Sequence, residues 1–101
     1  MPDRTEQTKA LASDVRMQIL EWLKRPRDHF GHQLSGDAGE IGVCVTLFAA
    51  KLEMSQPTVS RHLELLRRAG FVRVRRMGRW SHFARDEDGL RDYRSWLSDN
   101  L

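Results

Sequence analysis

The residue types of this 101-residue chain suggest two kinds of chemistry. The first is recognition of a polyanion. Between Ser55 and Arg85, eight arginines (Arg61, Arg67, Arg68, Arg73, Arg75, Arg76, Arg79 and Arg85) stand against one acid, Glu64, for a formal charge of +7. The flanks are mildly acidic, −1 over residues 1–54 and −3 over residues 86–101, so the overall +3 hides the concentration. So dense a patch neutralises several phosphates and releases their counterions, which makes nucleic-acid affinity depend on salt. A run of two or three bases would be an ordinary solvated surface; eight arginines in one stretch favour binding.

The second kind involves Cys44, the only cysteine. His29, His32, Asp37 and Glu40 precede it, and a mixed thiolate, imidazole and carboxylate set suits zinc. Their spacing matches no compact ligand motif, and a lone cysteine in an apolar segment packs as a small hydrophobe. No metal site and no cofactor are therefore predicted. Cys44, His29 and His32 are the residues through which zinc would act, or a redox signal if His29 or an arginine lowered the thiol pKa. A Cys–His nucleophile pair would need an orienting acid, which has no recognisable spacing here, and there is no glycine-rich phosphate loop. The chain does not read as an enzyme.

The totals set the frame for these residues. The length suits a single domain spanning 1–101 with a small core. A composition of 40% hydrophobic and 31% charged residues, with pI near 9.6, is that of a globular protein. No apolar run approaches the ~18 residues that would span a membrane. The polar start MPDRTEQTKALASD lacks the apolar centre of a secretory signal. One cysteine fits a reducing compartment, and the expected location is the cytoplasm.

Residues 3–25 predict two helical pieces with a break near Ser13-Asp14, Ser13 as N-cap and Pro26 as a stop. The second piece is core, through Val15, Ile19, Trp22 and Leu23. The first, with few apolar residues beyond Leu11, is expected to lie across a partner surface. Residues 26–42 read as an irregular surface loop. Val43–Leu52 reads as a helix packing Val43, Leu47 and Ala50, with Phe48 beside them, on Val59, Leu63 and Leu66 of the next helix. That next helix, about 55–69, takes Ser55 as N-cap, tolerates Pro57 in its first turn and ends at Gly70. With Glu53-Met54 as the turn, the two form a helix-turn-helix whose second helix enters the major groove.

A hairpin over about 71–85 follows, turning at Gly78, with Val72 and Val74 on one side together with Trp80, His82 and Phe83, and arginines at its tip. Such a basic hairpin after a recognition helix is a wing. The last helix, about 87–100, carries a stripe of Leu90, Tyr93, Leu97 and Leu101 beside Trp96 that suits another subunit. The expected fold is mainly α with a small β-hairpin: a winged helix-turn-helix of order α-α-α-α-β-β-α, dimeric.

The order of these elements and several motifs resemble the arsenic-repressor family of bacterial transcription factors, ArsR/SmtB. The motifs are SDVRMQILEWL, the run Met54-Ser55-Gln56-Pro57-Thr58-Val59-Ser60-Arg61-His62-Leu63, the following Leu66-Arg67-Arg68-Ala69-Gly70-Phe71-Val72, and Arg76 to Phe83. The resemblance covers nearly the whole chain. It implies a homodimeric winged-helix repressor on an inverted repeat of double-stranded DNA, with the first and last helices as dimer interface: Leu11, Leu90, Tyr93, Trp96 and Leu97. Many metal-sensing members carry a Cys-x-Cys pair before the recognition helix; here those positions are Cys44 and Thr46, so one thiolate is missing. The last helix also lacks the histidine that other members use for zinc.

On the DNA reading, Gln56, Thr58 and Arg61 face base edges, Ser55, Ser60 and Arg68 contact phosphates, and Arg75, Arg76 and Arg79 hold the backbone or minor groove. His62 falls towards the apolar side as a packed residue. The competing reading is a winged-helix protein–protein interaction module without a DNA-binding role.

Overall fold

The computed structural model describes residues 3–31, 33 and 36–101. The first two helices are α1 (Arg4–Leu11) and α2 (Asp14–Trp22), capped by Asp3 and by Ser13, whose side chain accepts from the Arg16 amide. The break falls at Ser13 as the capping pattern predicts. α1 does not simply wait for a partner: its Gln7 is buried and donates 2.9 Å to the Ala69 carbonyl. Thr8 bonds the Tyr93 hydroxyl at 2.6 Å, and Arg4 pairs with Asp92.

Residues 26–42 are not an irregular surface loop. Two single-turn helices, α3 (Pro26–His29) and α4 (Ala38–Ile41), are joined by the Arg27–Asp37 ion pair, and the Arg27 guanidinium holds the Asp37 carboxyl below its usual pKa. Pro26 opens α3 where its missing N–H costs nothing. Phe30 enters the core edge-on to Phe48, with ring centroids 5.0 Å apart. Gln33, also buried, donates to the Gly42 carbonyl and accepts from the Cys44 amide, satisfying backbone groups that a sheet neighbour would otherwise serve.

The predicted helix over Val43–Leu52 begins two residues late. Val43 and Cys44 form a short strand, β1, and α5 runs from Val45 to Leu52. Periodicity cannot reveal a two-residue strand; its pairing with Phe83 and His82 defines it. The buried face of α5 is Phe48 and Ala49, with Leu47 half-buried and Ala50 exposed, so the expected stripe is rotated. Glu53 then takes a left-handed conformation, φ 54°, and α6 (Gln56–Arg68) follows with Val59, Leu63 and Leu66 buried.

β2 (Val72–Met77) and β3 (Trp80–Arg85) form the hairpin, and the sheet order β1-β3-β2 adds β1 as a third, antiparallel strand. The two-residue turn is Gly78-Arg79, with φ 61° at Gly78, the positive value a tight hairpin needs at its first central position. Val74 lies opposite Phe83 and Arg75 opposite His82. Paired residues share a face, so Trp80 and His82 sit on the side away from Val72 and Val74, contrary to the expected grouping.

α7 (Glu87–Asn100) closes the chain, with Asp86 capping it through the Gly89 amide. Leu90 and Tyr93 are buried in the chain's own core, and the Tyr93 ring meets Phe71 edge-on at 5.3 Å. Trp96 and Leu97 pack on the rim of that core, and Leu101 is exposed.

Two buried contacts generate tests. A Cβ on Gly89 would lie 1.8 Å from the Gly70 carbonyl oxygen, so α7 starts where only hydrogen fits. Gly89→Ala is expected to destabilise the fold by about 1–3 kcal/mol in urea unfolding, as overpacking does. Gly31→Ala, which meets nothing within 4 Å, is the control.

His62 Nδ1 lies 3.0 Å from an Arg16 nitrogen, and because arginine only donates, Nδ1 accepts from the guanidinium and belongs to a neutral ring. Burial, then the Arg16 charge, lowers the His62 pKa. The unfolded chain therefore binds the proton more readily, and the stabilisation is full above the ordinary histidine pKa of about 6.5 and lost as pH falls through the lower folded value. In His62→Gln, the decline in stability on acidification from neutral pH should be shallower than in wild type; carboxylates titrate in a lower window.

Candidate nucleic-acid interface

The exposed N-terminal half of α6 is built by its cap. Ser55 adopts an extended conformation, its hydroxyl accepts from the Thr58 amide and bonds the Thr58 hydroxyl at 2.9 Å, and Pro57 sits within the first turn. The burial of Val59, Leu63 and Leu66 turns Gln56, Thr58, Ser60 and Arg61 outward, and all four are exposed. Arg75, Arg76 and Arg79 are exposed on the wing, with Arg76 bonded to the Ser81 hydroxyl. The structure thus brings the predicted residues of α6 and the wing to the surface.

It also divides the eight arginines. Arg67 pairs with Glu64, Arg68 with Glu6 at 3.3 Å, and Arg85 with Glu87. Arg85 is largely buried and donates to the Leu20 carbonyl, so its job is to tie β3 to α2. Among the described residues, Arg61, Arg73, Arg75, Arg76 and Arg79 form no ion pair. Unpaired guanidiniums keep their full charge for a ligand. Arg67 holds the Glu64 carboxyl below its usual pKa, with smaller help from Arg68 and Arg76, so the one acid of the stretch stays ionised and neutralised.

Sequence reasoning missed Arg16 as a clasp. Its guanidinium donates to the Ala10 carbonyl at 2.7 Å and to that of Lys9 at 3.2 Å while meeting His62, so it closes the end of α1 onto α2 and α6. An arginine ahead of the apolar run of α2 is the only sequence signal for it.

Cys44 is buried and its sulfur lies 3.0 Å from the Thr46 hydroxyl. The two positions of the expected Cys-x-Cys pair therefore do converge, with a hydroxyl where the second thiolate would stand. His29 is exposed, and His32 lies outside the described residues. Among the described residues no group of three His, Cys, Asp or Glu side chains converges as a metal site would require.

Residues 43–74 match the model of the family described as bacterial regulatory protein, arsR family. The chain is 43% identical over 82 residues to the uncharacterised HTH-type transcriptional regulator YbzH of Bacillus subtilis, covering 81% of this chain and 82% of that protein. The chain belongs to the arsR family. Over 75 residues it is 44% identical to the arsenical resistance operon repressor of Escherichia coli, covering 74% of this chain and 52% of that longer repressor. The solution structure of a homodimeric winged helix-turn-helix DNA-binding domain from Mycobacterium bovis, a possible ArsR-family regulator, superposes with TM-score 0.63 at 26% identity, over 96% of this chain and 80% of that one. Membership makes the chain a winged helix-turn-helix transcriptional regulator, and it gives the Cys44–Thr46 pair its context.

Because those two positions already meet, Thr46→Cys is expected to place two thiols within reach of one soft cation. Cadmium titration should then raise a thiolate-to-metal absorption band in the variant and none in wild type. Equal spectra would mean that the second position cannot act as a ligand.

Proposed function

We propose that this arsR-family regulator acts as a homodimeric repressor on an inverted repeat of double-stranded DNA. The carrying observation is the set of five arginines, on the outward face of α6 and on the wing, that form no ion pair among the described residues. Arg61 and Thr58 read base edges in the major groove. Ser55 contacts phosphate, and Arg75, Arg76 and Arg79 hold the backbone or minor groove. Arg68 serves phosphate only by giving up Glu6. Leu11, Trp96 and Leu97, half-exposed on α1 and α7, are the dimer surface; Leu90 and Tyr93 stiffen it from beneath. The role is regulatory rather than catalytic, and the cytoplasm suits a chain with one free cysteine; no helix among the described residues is long and apolar enough to cross a membrane. Nothing observed favours a protein-interaction module over DNA.

The test is selection of duplexes from a random pool, followed by affinity measurement across salt concentrations. An inverted repeat should emerge. Arg61→Ala should lose about 1–3 kcal/mol on the selected site and relax one base preference; equal loss on random DNA would remove Arg61 from base reading. Replacing Arg75, Arg76 and Arg79 together with Ala should lower the slope of log affinity against log salt by up to about 3. Failure to select any duplex would overturn the reading.

A further inference from the structure

Where the wing meets the helix-turn-helix there is a cleft of about 250 Å³. Its walls are Cys44, Val45 and Thr46 where β1 meets α5, Gln56 and Ser60 on α6, and Arg79, Trp80 and Ser81 on the wing. Three other clefts of this chain each contain a carboxylate: Asp3 and Glu6 beside α1, Asp37 beside α4, and Glu40 beneath the sheet. This one contains none among its lining residues, and presents hydroxyls, an amide and a guanidinium that has no ion pair among the described residues. Such a donor-rich set without acids suits a phosphate.

Its other wall is of a different nature. Trp80 is 37% exposed, a large apolar plane left in solvent, and the Arg79 guanidinium lies 5.8 Å from its ring centre. Exposed tryptophan beside a phosphate-type donor set matches an amphipathic ligand with an anionic part and an apolar part. A nucleotide's backbone unit is one, with a charged phosphate and a largely aliphatic deoxyribose. Position gives the same answer. The two grooves of a duplex are separated by a sugar–phosphate strand. If α6 lies in one and the wing reaches the next, the strand between them must run across the space that this cleft occupies.

We propose that the cleft clasps one sugar–phosphate unit of that strand, with Thr46, Ser60, Gln56 and Arg79 bonding the phosphate and Trp80 covering the deoxyribose. The assignment rests on the DNA reading above and deepens it. It moves Gln56 from base reading to strand positioning, and it adds Thr46 and Trp80, which the basic pattern alone did not single out. The clasp draws on three elements at once, so it fixes the wing relative to the recognition helix when DNA is bound.

The experiment scans a selected duplex with single methylphosphonates, which remove one phosphate charge at a time. In wild type, one position in each half-site should lose affinity about tenfold, the size of a lost charge-assisted hydrogen bond. At that position the penalty should shrink to about threefold or less in Thr46→Val and in Arg79→Ala, because the partner is already gone. Trp80→Phe should weaken binding less than Trp80→Ser does, and neither should change the salt slope, as loss of an apolar contact requires. The tryptophan emission that distinguishes wild type from Trp80→Phe should shift on DNA binding and stay unchanged with inorganic phosphate at equal ionic strength.

A wild type that binds its duplex, with no methylphosphonate position coupled to Thr46 or Arg79, or with Trp80→Ser binding fully, would overturn the clasp and leave the DNA reading intact. Emission changes with inorganic phosphate alone would assign the cleft to a free anion instead of a strand. Absence of duplex binding altogether would overturn both. All the substituted side chains are exposed, and matching thermal melts exclude misfolding as the cause.

Discussion

The buried end of α6 is the constraint on which the rest of the structure depends. A helix that stops inside a protein leaves carbonyls that water cannot reach, and each must find a donor or be relieved by a turn. Here Gly70, at φ 81°, reverses the chain so that the Phe71 amide bonds the Leu66 carbonyl at 3.0 Å. The Ala69 carbonyl takes the Gln7 side chain from α1, and the Phe71 carbonyl takes the Asp86 amide at the start of α7. Gly89 then lies against the Gly70 oxygen, and Phe71 fills the core beside Tyr93. One helix terminus thereby orients the first helix, the last helix and the strand that leads into the wing. A fault there would tilt the wing relative to α6 without touching any arginine.

Around that scaffold the charges are sorted by what they can reach. Arg67, Arg68 and Arg85 lie near acids or carbonyls of their own chain and are neutralised or tied down. The arginines towards the start of α6 and along the wing lie beyond those acids and keep their charge exposed. Exposed ion pairs contribute little to stability, so the main effect of the Arg67 and Arg68 pairs is to neutralise charge at the C-terminal end of α6. What remains is a basic surface narrower than the sequence total suggests, confined to the parts that could meet a duplex together.

How much of this could be read from the chain varies with the range of the interaction that decides it. α6 was legible to within a residue because its determinants are local: Ser55 and Pro57 at one end, Gly70 at the other, and Val59, Leu63 and Leu66 on one stripe between. The span of α7 was equally legible, from its acidic start. β1 was not, since Val43 and Cys44 are a strand only because Phe83 and His82 lie alongside. The side of the sheet taken by Trp80 depended on register, and with a period of two a single-residue difference in the turn reverses it. Residues 26–42 lacked periodicity because they are held by single long-range contacts, Phe30 on Phe48 and Gln33 on the strand backbone. The density of arginine was plain in the sequence, but its division was not, because the partner of Arg68 comes from α1.

The junction of β1 and α5 explains why the thiol and the exposed face of α6 and the wing have to be considered together. Cys44 is at once the residue paired with His82 of the sheet, the cap position of α5 and part of the lining of the cleft between α6 and the wing. A group placed there lines the same cleft as Gln56 and Ser60 of α6 and Arg79 and Trp80 of the wing. In this chain the place is filled by one cysteine and one threonine, with the sulfur 3.0 Å from the hydroxyl oxygen. No carboxylate is among the residues lining the cleft, so the Arg79 guanidinium gives it its electropositive character. The Thr46 hydroxyl is a hard donor suited to phosphate and a poor ligand for a soft cation, so suitability for one chemistry and unsuitability for the other follow from a single side chain.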